Sequence, residues 1–168
     1  MYCEDVKQVR NFIKVVADYT NSTVNVLGYS MGSPISRKAI LGGKCVDTHE
    51  DLGEPLTPLV NTFISLAGVT YGLQPCLNYK TYAACNLVNG MISGSEYLND
   101  INSMETKYEG NTTYSIQSSN DYLVGQKCGS EQCSELKNSN ENIYKNGNDH
   151  VTIVSTTVAL QYELFDKL

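Results

Sequence analysis

Between Asp5 and Tyr19, apolar residues recur at three- and four-residue steps (Val6, Val9, Ile13, Val16). That spacing puts them on one face of an amphipathic helix. Asn21-Ser22 breaks the pattern, and the next apolar run, Val24-Asn25-Val26-Leu27, is short, β-branched and stopped by Gly28. It reads as a strand. A second helix is predicted from near Gly32 to about Leu41, with Pro34 in the first turn, where a missing N–H costs nothing, and Gly42-Gly43 as its stop. Phe63 to Ala67, closed by Gly68, is a second strand, and Tyr114 to Ser118 a third. The intervening pieces carry turn residues. Residues 44–60 are predicted as loop, residues 69–110 as irregular with a helix over Glu96 to Met104, and residues 125–149 as mostly loop, rich in Asn, Gly, Ser and Lys. The chain is predicted to end in a helix over Ser155 to Leu168.

Strands alternating with helices predict the α/β class with a mostly parallel sheet. The 168 residues amount to a single domain. A doubly wound sheet usually has more than three strands, so the expectation is that further N-terminal strands precede Met1 and that the chain is the C-terminal portion of a longer domain.

The charge balance narrows the partners. The net charge is −6, spread along the chain rather than in runs. An acidic, evenly solvated surface does not suit a phosphate backbone, so nucleic acid is not expected as a partner. No apolar run approaches the roughly 20 residues that span a bilayer, and Met1-Tyr2-Cys3-Glu4-Asp5 has neither a basic n-region nor an apolar h-region. The six cysteines (Cys3, Cys45, Cys76, Cys85, Cys128, Cys133) point to an oxidising compartment. Six free thiols is the alternative reading. The close pairs Cys76/Cys85 and Cys128/Cys133 suit local bridges, which leaves Cys3 for Cys45, although spacing alone does not fix the connectivity. A zinc site is disfavoured, because no Cys-x-x-Cys occurs and the histidines are only His49 and His150. Two N-glycosylation sequons, Asn21-Ser22-Thr23 and Asn111-Thr112-Thr113, agree with secretion.

One motif carries chemistry. Gly28-Tyr29-Ser30-Met31-Gly32 sits where the first strand ends and the second helix begins, as a nucleophile elbow requires. A serine hydroxyl is a poor nucleophile at neutral pH and needs a base within hydrogen-bond reach. The tight turn exposes its oxygen, and the flanking glycines leave room for close backbone approach. The N–H of Met31, at the head of a helix, points at the developing oxyanion. The partners should follow in the order acid, then histidine. His150 lies after the last strand, just before the terminal helix, and is the candidate base. His49, in the charged loop Asp47-Thr48-His49-Glu50-Asp51, reads as a solvated loop residue. Asp121, in the turn after the third strand, fits the acid that holds the imidazole tautomer, with an ordinary turn former as the alternative. Asp100 falls in a predicted helix and fits less well. Asp149, next to His150, is expected to point elsewhere.

The stretch Val24 to Ile40 (VNVLGYSMGSPISRKAI) resembles the class 2 lipase (EstA/EstB-type) family of the α/β-hydrolase superfamily, and is especially similar to secreted lipase-related proteins of nematodes. Gly42-Gly43-Lys44-Cys45-Val46-Asp47-Thr48, Phe63 to Gly68, Tyr108-Glu109-Gly110 and Ser118-Ser119-Asn120-Asp121 extend the resemblance over nearly the whole chain. It implies an α/β-hydrolase fold, secretion, and hydrolysis of carboxylic esters, acylglycerols in lipid catabolism among them, with no metal or cofactor. It implies Ser30 as nucleophile, Asp121 as acid, His150 as base and the Met31 N–H as one oxyanion donor. The second donor in such enzymes comes from a loop after an early strand, for which the residues before Ser30 have no counterpart. The expected partners are a small-molecule or lipid ester and, transiently, a lipid interface, with residues 71–110 expected as part of the substrate-facing surface or a cap. A non-catalytic extracellular binding protein with the same ancestry is the alternative.

Overall fold

The computed structural model describes residues 1–78 and 82–167. The first helix, α1, runs over Cys3–Thr20. At its head the Asp5 carboxylate accepts the Tyr2 N–H at 3.1 Å. Asn21 ends it in the left-handed region at φ 48°, which a short polar side chain tolerates. Then come β1 (Val24–Tyr29), α2 (Gly32–Leu41), β2 (Val60–Leu66), α3 (Glu96–Asn102), β3 (Thr112–Gln117), β4 (Lys127–Cys128), β5 (Glu131–Gln132), β6 (Glu141–Tyr144), α4 (Thr152–Thr156) and α5 (Val158–Asp166).

Four strands form one sheet in the order β1-β2-β3-β6, every neighbouring pair parallel. Its register sets Leu27 beside Ile64 and Ile64 beside Tyr114. Alternation along the strands divides the core between two faces. Val26 and Phe63 meet Ile13 of α1 and Ile40 of α2. Leu27, Ile64, Leu66, Tyr114 and Ile116 meet Ile153 of α4 and Leu164 of α5. A sheet covered on both faces accounts for the near-continuous burial of β2, polar Thr62 and Ser65 included. The mostly parallel α/β architecture is as expected.

The predicted elements before residue 125 recur with shifted ends; β2 starts at Val60 rather than Phe63, for example. The segment 125–149 departs from expectation. It holds the hairpin β4–β5 and the edge strand β6. β6 is only four residues long and largely solvated, so its pattern carries no period-2 signal. Asn142 holds it in place: its carboxamide donates to the Leu136 carbonyl and accepts the Leu136 N–H. The C-terminal helix is two helices, α4 and α5, that meet at Thr157, and Leu168 lies outside the described residues. So do residues 79–81 of the irregular segment, whose described part contains 3-10 turns at Gln74–Leu77 and Ala83–Cys85.

All six cysteines are bridged: Cys3–Cys45, Cys76–Cys85 and Cys128–Cys133. The first ties α1 to the loop after α2; the third closes the β4–β5 hairpin. Among the described residues no helix is long and apolar enough to cross a membrane.

Candidate active site

Ser30 follows β1 directly and has φ 54°, a left-handed conformation that costs a non-glycine residue about 1–2 kcal/mol. The surroundings impose it. Its N–H donates to the Leu66 carbonyl at 3.0 Å, and its own carbonyl accepts the N–H of Ser33 at 3.1 Å and of Val69 at 3.4 Å. Strand, helix and the turn after β2 thus converge on one residue. Gly28 permits the approach, since a Cβ there would lie 2.5 Å from the Ser33 Cα. Gly68 does the same from β2, where the Ser33 and Ser65 hydroxyls share a hydrogen bond of 2.7 Å. Gly32 differs: a Cβ there would meet nothing within 4 Å, so packing among the described residues does not require the motif's second glycine. The N–H of Met31 heads the ten-residue α2, where the helix dipole favours negative charge.

His150 lies between β6 and α4, buried, with Nε2 2.9 Å from Ser30 Oγ. Its Nδ1 is 2.7 Å from Asp121 Oδ2. Asp121, also buried, sits in the turn after β3, where its Oδ1 accepts the N–H groups of Leu123 at 3.0 Å and Val124 at 2.9 Å. An ionised carboxylate only accepts, so Nδ1 carries the proton and Nε2 turns its lone pair to the Ser30 hydroxyl. That tautomer is the one a base needs in order to take the proton from Oγ.

The structure brings Ser30, Asp121 and His150 together at the C-terminal ends of β1, β3 and β6, with Met31 beside them. The other candidates stand apart. His49 is exposed in its loop at φ 60°. Asp100 pairs with Lys38 at 2.7 Å. Asp149 accepts the N–H groups of Val151 and Thr152 and the Thr152 hydroxyl. These bonds, from Thr152 above all, hold its carboxyl below the usual range. Cys3, Cys45 and Asp47 lie close enough for a metal site, but the two sulfurs are bonded to each other and are not thiolate ligands.

Several residues support this arrangement in ways the sequence did not indicate. The Ser118 hydroxyl donates to the Asn148 carbonyl and so ties the loop that carries His150 to the turn that carries Asp121. Arg37, buried on α2, donates to Glu109 and Asn102 at 2.8 Å each and to the Ile101 carbonyl. Asn102 in turn donates to the Thr70 carbonyl beyond β2, so this network braces the helix that carries Met31.

A cavity of about 200 Å³ is lined by Met1, Tyr2, Asp5, Met31, Ala83, Ala84, Asn86, Asn89 and Met91. A larger one, about 420 Å³, borders Asp121 and is lined by Gln74, Tyr122, Gln126 and Lys127 among others. The smaller is lined by Met31 and the larger by Asp121, and neither lining includes Ser30 or His150.

Among solved structures, the chain is similar to a lipase of Bacillus licheniformis in its mature form, with a TM-score of 0.65, 10% identity, and coverage of 94% of this chain and 71% of that one. It is also similar to a monoacylglycerol lipase of Paleococcus ferrophilus, with a TM-score of 0.52, 11% identity, and coverage of 95% and 74%. At such identities the likeness is one of fold. No curated protein sequence matches the chain. Residues 1–163 match the family model described as lipase (class 2), and the chain belongs to that family.

Proposed function

We propose that the protein is a carboxylic ester hydrolase that works through an acyl-enzyme. The observation that carries this reading is the unbroken hydrogen-bonded line Ser30 Oγ–His150 Nε2, His150 Nδ1–Asp121 Oδ2. Family membership supports it. Ser30 Oγ attacks the ester carbonyl while its proton passes to His150 Nε2, and the Met31 N–H donates to the oxyanion. The imidazolium, stabilised by Asp121, returns the proton to the leaving alcohol. Water then attacks the acyl-serine, giving its proton to Nε2, and as the second tetrahedral intermediate collapses Nε2 returns that proton to Ser30 Oγ, freeing the acid and the serine hydroxyl.

Acylglycerols are the substrate class we favour. The residues that follow each reacting group are apolar and exposed: Met31 after Ser30, Tyr122 and Leu123 after Asp121, and Val151 after His150. Such a rim suits an apolar ester presented at a lipid surface. The three disulfides suit an oxidising, extracellular setting. Asn21 and Asn111 of the two sequons are exposed and precede β1 and β3. They therefore sit at the end of the parallel sheet opposite Ser30, where glycans leave the site open.

The test is labelling of Ser30 by a fluorophosphonate probe, together with hydrolysis of p-nitrophenyl esters of several chain lengths. Wild type should label and turn over, and Ser30→Ala should do neither. Equal rates for the two would sink the assignment.

A further inference from the structure

Tyr29 is the last residue of β1 and the residue before the serine. Alternation puts its ring on the face shared with Leu27, Ile64 and Leu66, which α4 and α5 cover. There its hydroxyl donates to the main-chain carbonyl of His150 at 2.9 Å. Its ring centroid lies 5.0 Å from that of the imidazole, with the planes tilted by 32°. The two residues are 121 positions apart, so the contact is tertiary. Burial first, and then the charges of Asp121 and Asp149, push the phenol up from its ordinary range. The hydroxyl therefore stays a donor at neutral pH.

The other restraints around His150 leave a gap that this contact fills. Asp149 fixes the backbone of Val151 and Thr152. Ser118 fixes the carbonyl of Asn148. Asp121 holds Nδ1. None of these touches the peptide carbonyl of His150 itself or backs its ring. A rigid base requires both, because a ring held at Nδ1 alone can still swing Nε2 away from Ser30 Oγ as the loop moves.

We propose that Tyr29 is a positioning residue: its hydroxyl pins the His150 carbonyl to the elbow and its ring backs the imidazole, keeping Nε2 in line with Ser30 Oγ. The proposal rests on the reading of Ser30, Asp121 and His150 as the reacting set. It gives the variable position of the elbow motif a task in this chain, which is to join the strand of the nucleophile to the loop of the base.

The test compares wild type with Tyr29→Phe, which keeps the ring and loses the tether, and with Tyr29→Leu, which loses both. With a p-nitrophenyl ester, Tyr29→Phe should lower kcat on the order of tenfold, the worth of one hydrogen bond, with KM unchanged within about twofold. The rate of fluorophosphonate labelling should fall by the same factor, and Tyr29→Leu should fall further on both. All rates are referred to the folded fraction from thermal unfolding of the same samples, so that a loss of fold does not pass for a loss of positioning. A Tyr29→Phe variant with wild-type kcat and labelling rate overturns the proposal. A raised KM with unchanged kcat also overturns it, because Tyr29 then serves binding. Wild type that labels no better than Ser30→Ala instead overturns the reading of the reacting set on which the proposal stands.

Discussion

Replacing Asp121 by asparagine should uncouple geometry from chemistry at this site. The carboxylate has two jobs. Oδ1 accepts the N–H groups of Leu123 and Val124, while Oδ2 faces His150 Nδ1 at 2.7 Å. The two backbone donors decide how an asparagine must sit. Its carbonyl has to take the Oδ1 position, or two N–H groups, the buried one of Val124 among them, would face an amide nitrogen. Its NH2 then faces Nδ1 and forces the lone pair to that nitrogen, so the imidazole proton moves to Nε2. There it points at Ser30 Oγ, and the ring can no longer accept the serine proton. The size and hydrogen bonds of the turn are kept, so Asp121→Asn should unfold within a few degrees of wild type. Its kcat should nonetheless drop by about 10⁴, as for a triad locked in the wrong tautomer. That factor is about 5 kcal/mol of transition-state stabilisation. Steady-state hydrolysis of a p-nitrophenyl ester measures it, and thermal unfolding is the control. A variant within tenfold of wild-type kcat would refute the tautomer argument and with it the role given to Asp121.

Other consequences concern the scaffold. Glu109→Gln leaves the buried Arg37 without its counter-charge at 2.8 Å; a loss of about 3–5 kcal/mol is expected, read as a fall in Tm of about 2–4 °C per kcal/mol. Chain-entropy reasoning ranks the bridges: Cys3–Cys45, with separation 42, should contribute about 4 kcal/mol and Cys128–Cys133, with separation 5, about 2 kcal/mol. Paired alanine substitutions in urea titrations test the order, and a larger loss at Cys128–Cys133 would reverse it. Gly28→Ala forces a methyl group to within 2.5 Å of the Ser33 Cα, so it should cost at least about 1–3 kcal/mol and slow fluorophosphonate labelling. Gly32→Ala, with open space at its Cβ, should leave stability within about 0.5 kcal/mol.

What the sequence made legible follows the range of the interactions involved. β1, β2 and the helices beside them announce themselves because their apolar residues are consecutive or at helical spacing. The elbow is equally local, a five-residue signal between two such elements. β6 was missed because Ile143 is its sole aliphatic residue and its place in the sheet is decided by Asn142, Leu136 and Ser115, contacts that no local pattern encodes. The pairing of Asp121 with His150 lies between these cases: chain order narrows the choice to a few acids, and only the adjacency of β3 and β6 puts their following turns in contact. Tyr29 carries no signal at all, because its partner is a main-chain carbonyl in a distant loop.

The parallel sheet also explains why so few residues suffice to hold three distant groups in register. Its strands all end on the same side, so the turns after β1, β3 and β6 are neighbours whatever the lengths of chain between them. Ser30 and His150 meet across 120 residues on that account. Each turn is then fixed chiefly through main-chain atoms: Ser30 by the Leu66 carbonyl and the Val69 N–H, Asp121 by the N–H groups of Leu123 and Val124, and the loop of His150 by hydroxyls that reach the carbonyls of residues 148 and 150. Main-chain restraints survive most side-chain substitutions. Sensitivity should therefore concentrate at the few side chains that make them, Asp121, Ser118 and Tyr29, and at the glycine that lets the strand before Ser30 approach its helix. The residues of the apolar rim, Met31, Tyr122, Leu123 and Val151, make none of these bonds through their side chains, so substitution there should change which esters are taken without disturbing how Ser30 is held.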